Sequence, residues 1–267
     1  MKFSKLFTAI AATAFMTVAS SAYAAGSVAT EGSTSMEHLI GAIGESFTNQ
    51  NPDVRFTFNP TGSGAGIQAA AEGRCDIGLS SRALKGDETK TLNGDTVALD
   101  GIVLVVNPAN PVSDLSLEQI KKLFSGEVKS WKELGGADNP VVLIGREAGS
   151  GTRDGFESVT GTKDVCKYRQ ELTSTGDVIA TVSKNPNAIG YASLSAVSDK
   201  IKPLTVGGVH ADVNTVQDGS YKLQRPFILV TKKDAKQSDA VKSFLNYALS
   251  KDVDQIVGDT GAVPVKR

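Results

Sequence analysis

The segment Val141-Val142-Leu143-Ile144-Gly145-Arg146-Glu147-Ala148-Gly149-Ser150-Gly151-Thr152-Arg153 contains an apolar strand, a loop of small residues and the start of a helix. A helix N-terminus presents unpaired backbone N–H groups and the positive end of the macrodipole, so it suits an anion. Glycine lets the backbone approach a ligand closely, and serine and threonine add hydroxyl donors. Arg146 can offer a bidentate, charged fork to an oxyanion. The segment therefore predicts an anion site, although such loops also serve as plain connectors.

Two other loops repeat this design, and a third polar segment follows a strand. They are Gly32-Ser33-Thr34-Ser35, Thr61-Gly62-Ser63-Gly64-Ala65-Gly66 and Ser80-Ser81-Arg82. Taken singly, each has a simpler interpretation as a helix cap, a tight turn or the end of a strand. Taken together, they predict a tetrahedral oxyanion that is held from several sides.

The loops depart from the standard nucleotide-binding and nucleophile motifs. The Arg146–Arg153 loop lacks the Gly-Lys-Ser/Thr ending of a P-loop, and Ile67 stands where a dinucleotide fingerprint needs its last glycine. Thr61 and Ala148 replace the first glycine of a nucleophile elbow. A secreted phosphatase would need a metal cluster or an activated nucleophile. We therefore expect a binding protein without catalytic residues, metal or cofactor, and we keep a phosphatase as the rival from another functional class.

The first part of the chain alternates strands and helices. Ser27–Glu31, Val54–Phe58 and Asp76–Leu79 are predicted strands, and the segments between them, Met36–Phe47 and Ile67–Glu72, have helical character. This βαβαβ order implies a parallel sheet with crossover helices. Ligands of such sheets lie at the carboxyl ends of the strands, where all the small-residue loops fall.

A second βα block follows, and the chain then has enough length to return to the first. The predicted buried strands of this part are Gly101–Val106, Val141–Gly145, Ala188–Tyr191 and Pro226–Val230. Ser116 and Gln119 form a predicted capping box, and a helix around Phe244 is expected to close the chain. We predict an α/β fold of two lobes joined by two crossing segments, with lobe I formed by 25–98 and 226–267 and lobe II by 99–225. A small ligand would bind in the cleft between them.

The N-terminus resembles a secretory signal peptide. A basic start at Lys2 and Lys5, an apolar run from Leu6 to Val18 and the small-x-small site Ala22-Tyr23-Ala24 give the three-part pattern, with residues 1–24 removed. Cleavage takes two lysines and no acids from 28 basic and 29 acidic residues, which leaves a net charge of −3. A slightly acidic protein without a basic stripe is not expected to bind nucleic acid. No cysteine immediately follows the cleavage site, so a lipoprotein membrane anchor is not expected either.

Cysteine and histidine are scarce. Cys75 and Cys166 fall in different predicted lobes, where a disulfide would restrain a hinge, so we expect two unpaired thiols. His38 and His210 have no partner at metal-ligand spacing. Neither residue type indicates a metal site.

The motifs together resemble the periplasmic phosphate-binding proteins, the receptors of the high-affinity phosphate ABC importer. The motifs that carry the resemblance, in order along nearly the whole mature chain, are Gly32–Ser35, Gly62–Gly64, Asp76–Ser81, Arg146 with Gly149–Thr152, Ala188–Tyr191 and Pro226–Val230. The resemblance implies a type II periplasmic-binding-protein fold that closes on phosphate, a periplasmic location, a membrane permease as partner and a monomeric state. The ligand-binding residues that it implies are Thr34, Ser35, Ser63, Ser81, Arg146, Ser150, Gly151 and Thr152.

Two positions depart from the longer members of this family. Ser81 and Ala148 stand where those members carry aspartates, one of which accepts a proton from the ligand. A carboxylate acceptor disfavours fully ionised sulfate, whereas a hydroxyl can donate or accept. Phosphate is the expected ligand, and sulfate, molybdate and tungstate stay open as alternatives.

Overall fold

The computed structural model describes residues 26–266 of the chain. The predicted signal peptide lies outside these residues. The strands are β1 (Gly26–Gly32), β2 (Val54–Pro60), β3 (Ile77–Ser80), β4 (Leu92–Val106), β5 (Asp114–Leu115), β6 (Val142–Arg146), β7 (Gln170–Leu172), β8 (Ala188–Ser193), β9 (Lys202–Pro203), β10 (Thr205–Val206), β11 (Gln224–Lys232) and β12 (Val263–Pro264). The helices are α1 (Glu37–Gln50), α2 (Ser63–Glu72), α3 (Glu88–Thr91), α4 (Leu117–Phe124), α5 (Gly151–Thr160), α6 (Thr175–Lys184), α7 (Val213–Gln217), α8 (Asp239–Ala248) and α9 (Asp254–Asp259).

The main sheet has the strand order β2-β1-β3-β11-β4-β8-β6-β7. At one end β1 is parallel to β2 and β3, and at the other β6 is parallel to β7 and β8. The parallel βαβαβ unit predicted from the first segments is confirmed. The central strands β11 and β4 instead run antiparallel to each other, with β3 and β8 as their antiparallel outer neighbours. This mixed arrangement arises because β11, late in the chain, returns between β3 and β4.

Strand β4 belongs to both halves of the sheet. Its first part, Leu92–Gly101, pairs with β11, and its second part, Ile102–Val106, pairs with β8. The apolar run Gly101–Val106 is buried throughout, as a strand covered on both faces should be. The strand begins nine residues before that run because the polar residues there still find backbone partners on β11.

Apolar clusters flank each half of the sheet. On one side, α1 and α8 pack over β1 with Ile43, Phe47 and Phe244 at the centre. On the other, α4 and α5 cover β8, and Phe124, Phe156 and Tyr191 pack there. A further cluster against α6 lies on the opposite face of this second half. The fold class is therefore α/β as predicted, and the exact lobe boundaries stay a prediction.

Capping residues in the sequence predict where a helix begins, and α4 is an example. Ser116 and Gln119 form the predicted capping box of α4, with a 3.2 Å bond from the Gln119 N–H to the Ser116 hydroxyl. The prediction that the helix around Phe244 closes the chain was wrong, because α9 and β12 follow it. Strand β12 pairs with Ala98 and Leu99 of β4. It has only two residues, so it shows no hydrophobic periodicity by which the sequence could predict it. Within residues 26–266, no helix is long and apolar enough to cross a membrane.

Candidate functional site

The first loop leaves β1 through a glycine that no other residue could replace without strain. Gly32 has φ +140°, and a Cβ there would lie 2.2 Å from the Leu79 carbonyl oxygen on β3. The next residue, Ser33, donates its N–H to that same oxygen at 2.9 Å. A single 3₁₀ turn, Thr34–Met36, then leads into α1, so Thr34 and Ser35 lie at a helix N-terminus.

The second loop is fixed to the first by backbone bonds. Thr61 and Gly62 both donate N–H groups to the Gly32 carbonyl, at 2.9 and 2.8 Å. Helix α2 begins at Ser63, and a Cβ at Gly66 would lie 2.4 Å from the Glu31 carbonyl oxygen. The close approach that the sequence predicted for this loop is therefore one of helix against strand, and it brings the N-termini of α1 and α2 together.

Ser63 joins the segment after β3 to this loop. The Ser81 N–H donates to the Ser63 hydroxyl at 3.0 Å, and the two hydroxyl oxygens lie 3.1 Å apart. Both side chains are buried. A Cβ at Gly151 would lie 2.5 Å from the Ser63 Oγ and 2.8 Å from the Ser81 Oγ, so the N-terminus of α5 meets both serines directly.

The third loop reaches the other two across the sheet. The Gly64 N–H donates to the Gly149 carbonyl at 2.9 Å. The hydroxyl of Thr152, in the first turn of α5, lies 2.7 Å from that of Ser35. The Ser150 hydroxyl accepts the Arg153 N–H as the cap of α5, so its side chain completes the helix start that the motif predicted.

Arg146 lies at the carboxyl end of β6 and is only 1 % exposed. Its guanidinium donates to the Leu172 carbonyl at 3.0 Å, the Thr173 carbonyl at 2.8 Å and the Thr175 hydroxyl at 3.3 Å. Within residues 26–266, every hydrogen-bond acceptor of this side chain is a carbonyl or hydroxyl oxygen. Burial lowers the pKa of Arg146 to about 10, so the group stays protonated at neutral pH.

Residues behind Arg146 fix its backbone. Its N–H donates to the Tyr191 hydroxyl at 3.1 Å, and its carbonyl accepts from the Arg153 guanidinium at 2.9 Å. Arg153 also binds Glu157 at 2.8 Å and lies over the Tyr168 ring. The arginine that ends the loop motif therefore supports the site from behind.

Thr175 is a site residue that the sequence analysis missed. Its hydroxyl lies 3.3 Å from each of the hydroxyls of Thr34 and Ser35, and it accepts from Arg146. Its segment, Thr173–Gly176, has small and polar residues like the other loops, but the strand before it, β7, has only three residues and no apolar run to mark it. Four helix N-termini, at Thr34, Ser63, Gly151 and Thr175, therefore meet here.

The structure brings the predicted residues into one buried cluster. Direct contacts join Thr34, Ser35, Ser63, Ser81, Gly151 and Thr152 to one another or to Thr175, and Arg146 contacts Thr175. Arg82 points elsewhere: it forms ion pairs with Glu88 at 2.7 Å and Asp154 at 3.0 Å. Asp154 also pairs with Lys85 at 3.0 Å. We call Arg82, Lys85, Glu88 and Asp154 the rim cluster.

A second buried arginine lies beside the cluster. Arg225 on β11 pairs with Asp100 on β4 at 2.8 Å, and Asp100 also accepts from the Ser193 hydroxyl at 2.7 Å. The Arg225 Nη1 lies 3.5 Å from the Ser81 carbonyl oxygen. This ion pair connects the two long central strands, β11 and β4, next to the site.

The remaining candidate groups lie outside the cluster. Both cysteines are free, and burial raises the pKa of Cys75 to about 11 and also raises the pKa of Cys166. Across the described part of the chain, no group of three or more His, Cys, Asp or Glu residues could hold a metal ion.

Comparison with known proteins finds a matching family and similar individual proteins. A family model described as a PBP superfamily domain matches residues 17–252. The phosphate-binding protein PstS of Bacillus subtilis (strain 168) is 35 % identical over 91 % of this chain and 82 % of its own length.

Solved structures agree in fold. One, described as a phosphate ABC transporter substrate-binding protein with bound phosphate from Clostridium perfringens, has 40 % identity and a TM-score of 0.87 over 90 % of this chain and all of its own. An ABC-type phosphate transport receptor from Vibrio cholerae has 30 % identity and a TM-score of 0.73 over 89 % of this chain and all of its own.

Proposed function

This chain belongs to the PBP superfamily, and we propose that it is a receptor that captures inorganic phosphate and delivers it to an ABC importer. The relatives described as phosphate-binding proteins, one of them with bound phosphate, support this assignment. The protein is a binding protein and not an enzyme, as are these relatives.

The observation that carries the proposal is the setting of Arg146. A buried guanidinium is costly unless a group of opposite charge or several hydrogen bonds compensate it. Here carbonyl and hydroxyl oxygens take its described bonds, and four helix N-termini add further positive potential. A tetrahedral anion would compensate this charge and accept bonds from the surrounding N–H and hydroxyl groups.

We assign roles to the individual residues on the basis of this geometry. Arg146 supplies the charged fork, and Ser150, Gly151 and Thr152 supply donors from α5. Thr34 and Ser35 donate from the start of α1, Ser63 and Ser81 from the segments after β2 and β3, and we add Thr175 from α6. Each half of the sheet holds only part of this set, so closure of two lobes, 25–98 with 226–267 and 99–225, would complete it.

We also propose the cellular setting that the family implies. The protein is exported after removal of residues 1–24, works in the periplasm as a monomer and docks on a membrane permease. Neither a nucleic acid nor a direct membrane anchor has a place in this function.

Isothermal titration with inorganic phosphate tests the proposal. We expect micromolar or tighter binding, about −8 kcal/mol. Arg146→Ala is expected to weaken it by at least about tenfold, roughly 1.4 kcal/mol. Arg169→Ala, which removes an exposed arginine outside the cluster, is the matched control and should bind like the wild type. Unchanged affinity in Arg146→Ala would contradict the site assignment.

The same protein separates the rival from another class. A secreted phosphatase would turn over a chromogenic phosphate ester, whereas a receptor would bind phosphate without turnover. We expect no hydrolysis above that of a buffer blank.

A further inference from the structure

Hydroxyl groups line the candidate site. They belong to Thr34, Ser35, Ser63, Ser81, Thr152 and Thr175, which we call the hydroxyl shell. Each of these six oxygens lies within 3.3 Å of another member. In every such contact either oxygen could be the donor, because a hydroxyl donates one hydrogen bond and accepts others.

Charged groups around the shell are arranged so that the positive ones point inward. Arg146 donates directly to Thr175, and the helix N-termini add their dipoles. The nearby carboxylates have other partners or other positions: Asp100 binds Arg225 and Asp177 accepts from Ser174, while Glu147 lies toward Gly62.

Within residues 26–266, no carboxylate oxygen forms a hydrogen bond with a member of the hydroxyl shell. Asp177 and Glu147 act on Arg146 only through their charge, which opposes the effect of burial on its pKa. The tyrosine behind Arg146, Tyr191, is neutral because burial raises its pKa further above neutrality. Donors that can also accept therefore surround the site.

We propose that the site selects its ligand by tetrahedral shape and two negative charges, and not by a proton on the ligand, so that sulfate is a second ligand. This inference rests on the proposed function and defines its substrate class as tetrahedral oxyanion dianions. It gives Ser81 and Thr175 the role of adaptable partners, which can face either a protonated or a bare oxygen.

The chemistry follows from what each group can do. A carboxylate only accepts hydrogen bonds, so in this position it would hold a protonated oxygen of phosphate and repel the bare oxygens of sulfate. A hydroxyl rotates, donating to a bare oxygen and accepting from an O–H. The dianion of phosphate and sulfate then make equivalent bonds, while the monoanion loses attraction to Arg146 and the helix dipoles.

Calorimetric titration of the full mature protein tests this inference. Phosphate and sulfate are titrated separately at pH 8.0 and pH 5.5, at one ionic strength, into dialysed protein, and sulfate is then used to displace phosphate. At pH 8.0 we expect sulfate to bind within about tenfold of phosphate, a difference of at most about 1.4 kcal/mol. At pH 5.5 phosphate should bind at least about tenfold more weakly, because nearly all of it is then the monoanion, and sulfate should be unchanged.

Two results would overturn the inference. One is phosphate binding without any binding or displacement by millimolar sulfate, and the other is a phosphate affinity that is equal at both pH values. If neither anion binds at either pH, the proposed function itself fails as well, so the two failures are distinguishable.

Ser81→Asp provides an internal test, because it places a carboxylate among the hydroxyls. It should weaken sulfate relative to phosphate by at least about tenfold. Ser220→Asp adds the same charge at an exposed position and should leave the ratio unchanged. Ser81→Ala, which only removes a hydroxyl, should weaken both anions together. An unchanged anion ratio in folded Ser81→Asp would contradict the role given to the hydroxyl shell.

Discussion

Two arginines are buried close to the same site, and their partners differ. Arg225 faces the carboxylate of Asp100 at 2.8 Å, and both belong to the central strands β11 and β4. Arg146 faces carbonyl and hydroxyl oxygens only, within the part of the chain that the structure describes. Burial lowers the pKa of both arginines. A carboxylate in direct contact, that of Asp100, opposes this at Arg225, whereas Glu147 and Asp177 oppose it at Arg146 only through their charge. Arg225 is therefore a structural ion-pair residue, whereas the charge of Arg146 is the one that we propose a ligand compensates.

Arg82 extends the comparison to the protein surface. It also pairs with carboxylates, but it lies in the rim cluster, where the Asp154 side chain is 30 % exposed. Solvent weakens such pairs, so the ion pairs of Arg82 are expected to contribute less to stability than the buried pair of Arg225.

The largest effect is expected when the buried pair is broken. Asp100→Asn keeps the shape of the side chain but leaves Arg225 as an uncompensated buried charge, so the free energy of unfolding should fall by about 3–5 kcal/mol. Urea unfolding measures this. The control Asp239→Asn, at an exposed i,i+3 pair, should change stability by less than about 0.5 kcal/mol. Equal losses in both variants would remove the distinction between buried and exposed pairs.

Arg146 should determine ligand-dependent stability. At a phosphate concentration of about 100 times Kd, the wild type should gain about 2.7 kcal/mol in its free energy of unfolding. Arg146→Ala should gain much less at the same concentration, because the charge that the ligand compensates is gone. Thermal unfolding with and without phosphate checks this, and a full gain in the variant would contradict the comparison between the two arginines.

Gly151→Ala tests the close approach of α5 to the serines beside Arg146. The added Cβ would lie 2.5 Å from the Ser63 Oγ, which must shift, and we expect a loss of about 1–3 kcal/mol in phosphate binding or stability. Gly149→Ala is the matched control, since a Cβ there has nothing within 4 Å. Titration and unfolding of both variants decide the outcome, and equal behaviour would show that the crowding at α5 is unimportant.

The smallest effect is expected at the rim cluster. Asp154→Asn removes the acceptor shared by Arg82 and Lys85. We expect the free energy of unfolding to fall by about 0.2–1 kcal/mol at low salt and to be unchanged at high salt. Double-mutant cycles with Lys85→Ala isolate the pair. A loss of stability that is independent of salt would show that Asp154 behaves like a buried ion-pair residue such as Asp100.

The sequence was most informative where the chemistry is local. The loops at Gly32, Gly62 and Gly149 and the cap at Ser116 lie as predicted, because caps, tight turns and strand–loop–helix transitions depend on neighbouring residues. The individual loops predicted only an anion site, and the family resemblance was needed to name the eight expected ligand-binding residues. Thr175 was missed because the strand before it, β7, has only three residues and lacks the apolar run that precedes the Arg146–Arg153 loop.

The sequence by itself determined the βα units, their apolar strands and the small-residue loops that open the helices, because each depends on residues a few positions apart. Only the tertiary structure decided that β11 lies between β3 and β4, that Asp100 meets Arg225 over 125 residues and that Ser35 meets Thr152 over 117. Such partners are set by the order of strands in the sheet. Hydrophobic periodicity reports which face of a strand is buried, but it carries no information about which strand lies beside it.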